Sequence, residues 1–186
     1  MATTIRTFVA VDLPEEHRRL LTDYLRRCAG LAPGYRWVTP DSLHLTLRFL
    51  GNVQAAALEA VRDRLEGVRA APFRLALDGR GVFGPRAAPR VVWLGVGEGL
   101  DACAALAASV EAACQAAGME PEERPFRAHV TLARQIGERE RLPALPDPPE
   151  LEPWTVEDFV LYESRLRQQP RYVPLDRYPL AGPASG

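Results

Sequence analysis

One four-residue phrase occurs twice, and it constrains this chain more than any other feature: His44-Leu45-Thr46-Leu47 and His129-Val130-Thr131-Leu132. Two of the three histidines in the 186 residues carry this frame. Each copy alternates polar and apolar residues, the pattern of a strand with one face in a core and the other open. Residues i and i+2 of a strand point the same way. His44 and Thr46 therefore share one side while Leu45 and Leu47 take the other, and His129 and Thr131 repeat the arrangement. The copies lie 85 positions apart, a little under half the chain. A fold that brings them together mounts two imidazoles and two hydroxyls on rigid strands.

The rest of the chain supplies elements for two such halves. Residues 5–11 are short and β-prone and end before Pro14, which suits the first turn of a helix. Glu15 and Glu16 follow, with Arg26, Arg27 and a stop at Gly30, the charge order that a helix dipole favours. Leu21, Tyr24, Leu25 and Cys28 form its apolar stripe; His17, among its charges, is predicted to be solvated. Strands are predicted at 35–38 and 43–50, joined by the Thr39-Pro40-Asp41 turn. A helix over 54–66 and strands at 73–77 and 91–96 come next, with a Gly/Pro/Arg loop over 79–89. Asp101 is placed to cap a helix that stops at Gly118. A strand at 127–133, a proline-rich extended connector over 142–153 and closing strands at 159–162 and 172–175 complete the order. Several strand pairs are joined by loops too short for a parallel crossover. The expected fold class is α+β: two pseudo-symmetric lobes of mainly antiparallel sheet, with outer helices and a central cleft. The expected domain is a single one over 1–181, with a frayed tail at 182–186.

In-line displacement at phosphorus needs a base on the attacking oxygen and an acid on the leaving oxygen, on opposite sides of the phosphorus. Imidazole reaches either protonation state near neutral pH. Two facing histidines meet that need, and two threonine hydroxyls can hold the non-bridging oxygens. Other chemistries fit worse. Only two histidines are well placed, too few for a metal site at ligand spacing. There is no Gly-x-x-x-x-Gly-Lys and no Gly-x-Ser-x-Gly. The basic residues are all arginine, so a covalent adenylyl-lysine is excluded. A net charge of −1 implies no global basic field, which leaves room only for a local basic groove. Cys28, Cys103 and Cys114 form no Cys-x-x-Cys and are expected as buried free thiols in a reducing cytoplasm. No apolar stretch has the length of a signal peptide or a membrane span.

Over nearly the whole chain the sequence resembles the 2H phosphoesterases, and within them the RNA 2′,3′-cyclic phosphodiesterases also called 2′-5′ RNA ligases. The likeness runs through residues 6–10, the stretch from His44 to Gly51, Trp93, the stretch from Pro125 to Arg134, and Leu161-Tyr162-Glu163-Ser164. It departs at Gln168-Gln169-Pro170-Arg171-Tyr172, where relatives often carry a glycine. The resemblance implies opening of a 2′,3′-cyclic phosphate at an RNA 3′ end to a 2′-phosphate, without cofactor or metal. It implies His44 as proton donor, His129 as proton acceptor, and Thr46 and Thr131 as phosphate ligands. ATP-independent 2′-5′ joining is implied as a second outcome.

Family members hold the terminal base with the residue five after each histidine, here Phe49 and Arg134. Strict alternation would turn both to the core, which Phe49 tolerates. Burying Arg134 would be costly, so the strand is expected to end or bulge there. Arg48 and Arg127 share the motif side by alternation and are candidates for phosphate or RNA-backbone contacts, or for solvated edge positions. The expected partners are RNA 3′ ends, tRNA halves among them, or cyclic nucleotides. One chain carries both motifs, so a cytoplasmic monomer suffices. Two rival readings stay open: an RNA-end or phosphate-binding protein without turnover, and a 2H enzyme acting on a small cyclic nucleotide.

Overall fold

The two repeated phrases lie on neighbouring strands at the centre of one sheet. The structure is a computed structural model and describes residues 4–137, 140–166 and 168–182. The chain order is β1 (Thr4–Asp12), α1 (Glu15–Leu31), β2 (Tyr35–Trp37), a 3₁₀ turn (Pro40–Ser42), β3 (His44–Gln54) and α2 (Ala55–Glu66). It continues with β4 (Phe73–Leu75), β5 (Leu77–Phe83), β6 (Val91–Val96), α3 (Leu100–Ala116) and β7 (His129–Gln135). β8 (Trp154–Val156), β9 (Asp158–Ser164) and β10 (Tyr172–Pro179) close it. Eight strands form the main sheet in the order β10-β9-β1-β3-β7-β6-β5, with β2 also on β7; β4 and β8 form a separate pair. All these pairings are antiparallel.

The two lobes thus share a sheet, and their junction is narrow. β3 and β7 are in register only at Leu45 and Val130. From Ala133 to Gln135 β7 pairs instead with β2, which precedes β3 in the chain, and beyond Leu45 β3 runs on beside β1. The cleft opens at this junction, lined by residues of β1, β2, β3 and β7. Leu45 and Val130 themselves are fully buried, in a core that also takes Leu21 and Cys28 of α1, Val61 and Leu65 of α2, and Leu106 and Val110 of α3. The histidines and threonines of the motifs alternate with these core residues and so face away from them.

Alternation fails at one matched place in each motif strand. Across β1 and β3, Ala10 pairs with Thr46 but Val9 pairs with Arg48, which leaves Leu47 as an extra residue. Across β6 and β7, Trp93 pairs with Thr131 but Val92 pairs with Ala133, which leaves Leu132 extra. Each is a β-bulge three residues after the motif histidine. A bulge puts two residues against one, so the side chains that follow it change face; in β3 a second shift comes at Leu50, between the Phe8–Phe49 and Thr7–Gly51 pairs. Position +4 then enters the core side, as Arg48 and Ala133, and position +5 emerges, as Phe49 and Arg134.

Several sequence expectations need correction. Of the loop expected over 79–89, residues 79–83 belong to strand β5, paired with β6 and bulged beside Gly79, where φ is +70°, and only 84–89 form the connection. The glycines of β5 serve packing: a Cβ on Gly81 would collide with the Trp93 indole lying across it. Gly30 lies inside α1, which runs on to Leu31 before Pro33. α3 starts at Leu100 behind Gly99, whose φ of 84° is left-handed, and Asp101 makes no side-chain cap. The connector over 142–153 carries no regular structure, and a strand that was not expected, β8, follows it. Trp154 of that strand packs edge-on against His17, 5.0 Å between ring centroids. His17 is therefore buried, not solvated, with its Nδ1 unpartnered. All three cysteines are free and buried. Among the described residues, no helix is long and apolar enough to cross a membrane. Most of the expected frayed tail, residues 183–186, lies outside the described residues.

Leu45→Ala should cost about 2–5 kcal/mol of stability, because it empties volume at the one registered contact between the motif strands. Denaturant unfolding of wild type and variant would measure it, and a loss below about 1 kcal/mol would contradict the central place given to this contact.

Candidate active site

Each motif histidine is locked the same way. Nδ1 of His44 lies 2.8 Å from the Ser42 carbonyl oxygen, and Nδ1 of His129 lies 2.6 Å from the Arg127 carbonyl oxygen. A carbonyl can only accept, so both Nδ1 atoms carry a proton and donate it. That leaves Nε2 of each neutral ring with a free lone pair. Aromatic rings hold the imidazoles from the sides. Phe8 and Tyr172 stand 4.8 and 5.1 Å from His44, and Phe83 and Trp93 stand 4.9 and 6.4 Å from His129. With Nδ1 engaged and the sides walled, Nε2 is the atom left to act.

Both rings border one cleft of about 730 Å³, which Thr46, Thr131, Phe49 and Arg134 also line. Six of the eight residues named from the sequence thus come together, and two do not. Arg48 is turned to the core side by the Leu47 bulge and is only 8% exposed. Its guanidinium meets Glu111 at 2.6 Å, Glu122 at 3.2 Å and the Glu120 carbonyl at 2.5 Å. It ties β3 to the end of α3 and the segment behind it, and no part of it reaches the cleft lining. Arg127 is exposed, its guanidinium 5.8 Å from the centroid of Phe83. It bears on the site through its carbonyl and through Phe83, outside the cleft itself. Phe49, by contrast, is 45% exposed and faces the cleft, for the same bulge that buries Arg48.

The cleft carries more positive charge than the motifs suggested. Arg6, Arg36, Arg124 and Arg171 line it along with Arg134, and its described lining contains no Asp or Glu. Of these five only Arg124 has a carboxylate partner among the described residues, Glu122 at 3.3 Å. A chain of net charge −1 thus concentrates unpaired guanidinium groups around two histidines. Arg6 could have been anticipated, since it shares strand parity with Phe8; Arg36 and Arg171 come from separate segments and carry no sequence signal. Burial pushes the His44 imidazole down to about 4, against the opposing pull of the Ser42 carbonyl and the Asp12 carboxylate. Burial also lowers His129, and the Arg134 cation adds to that, while the Arg127 carbonyl opposes it. Without ligand, both rings are neutral at pH 7. An anion entering between them would favour protonation of either ring.

The family model described as LigT like Phosphoesterase matches residues 11–93 and 94–172, one motif in each stretch. An RNA 2′,3′-cyclic phosphodiesterase of Escherichia coli is 34% identical over 183 residues, covering 97% of this chain and 99% of that protein. One from Geobacillus stearothermophilus is 34% identical over 186 residues; the match covers 96% of this chain but only 58% of the length of that relative. Among solved structures, E. coli LigT complexed with 3′-AMP superposes with a TM-score of 0.80 at 33% identity, covering 95% of this chain and 98% of that one. A structure from Thermus thermophilus reaches 0.79 at 32% identity, covering 96% and 99%.

Arg48→Ala should destabilise the protein by roughly 3 kcal/mol, because it strands Glu111 without its cation and leaves Glu122 only Arg124. Phe49→Ala and Arg134→Ala should leave stability nearly unchanged, as expected of surface positions. Thermal unfolding of the three variants side by side tests whether the bulge divides structural from cleft residues as described.

Proposed function

The chain belongs to the LigT-like phosphoesterases, and on that footing we propose that it opens 2′,3′-cyclic phosphates at RNA 3′ ends to leave 2′-phosphates. The observation that carries this reading is the mirrored pair of imidazoles. Each is locked at Nδ1 by the carbonyl two residues before it, each stands beside its own threonine, and both border one cleft.

In this reading His129 Nε2 takes a proton from water as the water oxygen bonds to phosphorus. The P–O3′ bond breaks, and O3′ takes the proton held on His44 Nε2. The phosphate stays on O2′. His44 ends neutral and His129 ends protonated, and exchange with solvent restores the starting state. The Thr46 and Thr131 hydroxyls donate to the non-bridging oxygens, where charge accumulates. Phe49 and Arg134 cover the terminal base. One asymmetry supports this division of roles: the Asp12 carboxylate favours the His44 imidazolium, against burial and the Arg18 cation, whereas the charged neighbour acting on His129 is a cation, Arg134. A 5′-hydroxyl in place of water would give a 2′-5′ linkage without ATP. Both motifs come from one chain, so a cytoplasmic monomer is sufficient. The unpaired arginines around the cleft favour an oligonucleotide over a mononucleotide as substrate.

Hydrolysis of an oligonucleotide ending in a 2′,3′-cyclic phosphate, in excess EDTA, tests the reading. Wild type should yield the 2′-phosphate, and His44→Ala and His129→Ala should each lose about 10²–10⁴-fold in rate. Binding without turnover would point to an RNA-end binding module, and abolition by EDTA would point to a metal enzyme. Faster turnover of mononucleotide cyclic phosphates than of short RNAs would favour the small-substrate alternative.

The pH dependence follows from the two lowered histidines. One must be protonated and the other not, so kcat/KM should be bell-shaped. It should peak below pH 6.5, because both free-enzyme values are depressed. The kcat profile should peak at higher pH, because bound phosphate favours the imidazolium. A kcat/KM that rises steadily from pH 5 to about 9 would rule out this pairing of roles.

A further inference from the structure

Behind His44 stands a charged cluster that has no counterpart behind His129 among the described residues. Asp12 on β1 is the strand partner of His44. Directly opposed residues of antiparallel strands project from the same face, with Cβ atoms about 5 Å apart. The position equivalent to Asp12 beside His129 is Gly95 of β6, which has no side chain to offer. The Asp12 carboxylate is held from three elements: by the Tyr162 hydroxyl of β9 at 2.5 Å, by Arg177 of β10 at 2.9 Å and by Arg18 of α1 at 3.5 Å.

The same cluster reaches His44 by a second route. Arg18 also donates to the Leu13 carbonyl at 3.2 Å and to the Pro40 carbonyl at 2.8 Å. Pro40 opens the 3₁₀ turn that ends at Ser42, whose carbonyl receives His44 Nδ1. The Thr39 and Ser42 hydroxyls, 2.9 Å apart, close that turn. One guanidinium therefore braces both the carboxylate beside the ring and the segment whose carbonyl orients it. His129 has only the Arg127 carbonyl, on a segment without regular structure.

Resting on the hydrolytic reading above, we propose that Asp12 is a positioning residue, clamped by Arg18, Arg177 and Tyr162, that reserves for His44 the imidazolium role. The charged and titratable groups around His44 and the Asp12 beside it are Arg18 from α1, His129 from β7, Tyr162 from β9, and Tyr172 and Arg177 from β10, with Asp158 of β9 paired to Arg177. Asp12 is the carboxylate that acts on the ring itself. It favours the cation that burial and Arg18 oppose. Removing its charge would leave Arg18 uncompensated and Arg177 with Asp158 alone, 2.6 Å away, while removing Arg177 would strengthen the carboxylate's influence. The two changes should act on His44 in opposite directions. Loss of a merely structural ion pair would move both variants the same way.

The test is a histidine-detected NMR titration of the full chain in saturating adenosine 2′-monophosphate, for wild type, Asp12→Asn and Arg177→Gln. Three histidines make assignment practicable. The His44 midpoint should fall by about one pH unit in Asp12→Asn and should rise in Arg177→Gln, with His129 and His17 unmoved. On the cyclic-phosphate oligonucleotide at pH 7, Asp12→Asn should lose about tenfold in kcat, the change in protonated fraction that one pKa unit brings, with KM little changed. A His44 midpoint that stays put, or that moves the same way in both variants, overturns the role of Asp12. Should Asp12→Asn fail to fold, the direction of the Arg177→Gln shift decides alone. Absence of turnover in wild type refutes the hydrolytic reading instead, and the midpoints, read in bound product, keep the two failures apart.

Discussion

Leu45 and Val130 meet across the centre of the sheet, and the geometry of the site descends from that contact. Both side chains are fully buried, and both are flanked in sequence by the motif residues. Because strand side chains alternate, burying this pair turns His44, Thr46, His129 and Thr131 to the opposite face. Because the contact sets the two motif strands side by side, all four groups border one cleft. The hydrophobic core beneath and the polar cleft above are two faces of one pairing. That explains how a pair of short motifs, far apart in the chain, acts as a single constellation: the free energy of apolar burial holds the polar groups in place.

The paired bulges add the next layer. Each motif strand spends three regular residues on chemistry and packing, then shifts face. The shift lifts Phe49 and Arg134 over the cleft and drops Arg48 and Ala133 toward the helices. Pseudo-symmetry holds for the backbone here but not for the side chains. Ala133 simply fills space, whereas Arg48 must be neutralised, and Glu111 and Glu122 do so. The two lobes also differ at the position opposite the histidine, Asp12 in one and Gly95 in the other. A near-symmetric scaffold with unequal charges is what an acid and a base need, since identical surroundings would give the two rings identical tendencies to hold a proton.

The electrostatics of the cleft pull in two directions. Burial and the surrounding arginines disfavour protonated histidine, which suits a base and hinders an acid. The same arginines attract a polyanion, whose phosphate then returns negative charge to the space between the rings. The cleft is therefore set up to acquire its working protonation state with its ligand. The guanidinium groups are thus concentrated locally in a chain of near-zero net charge.

Much of this was legible in the sequence. The repeated His-x-Thr frame, its period of two and its apolar partners determined two half-buried strands with the histidines and threonines on one shared face, because alternation is a local property of extended backbone. The order of helices and antiparallel strands was legible for the same reason. Tertiary structure decided the rest. A bulge is a mismatch in count between two strands, so neither strand alone shows that Arg48 goes inward and Phe49 outward. His17 read as solvated because the Trp154 that covers it lies far along the chain. Arg6, Arg36 and Arg171 become one basic rim, and Asp12 becomes the neighbour of His44, only when separate segments are laid side by side. Local pattern determines which side of its own strand a residue takes; what it meets there depends on pairing between distant segments, which the buried core selects.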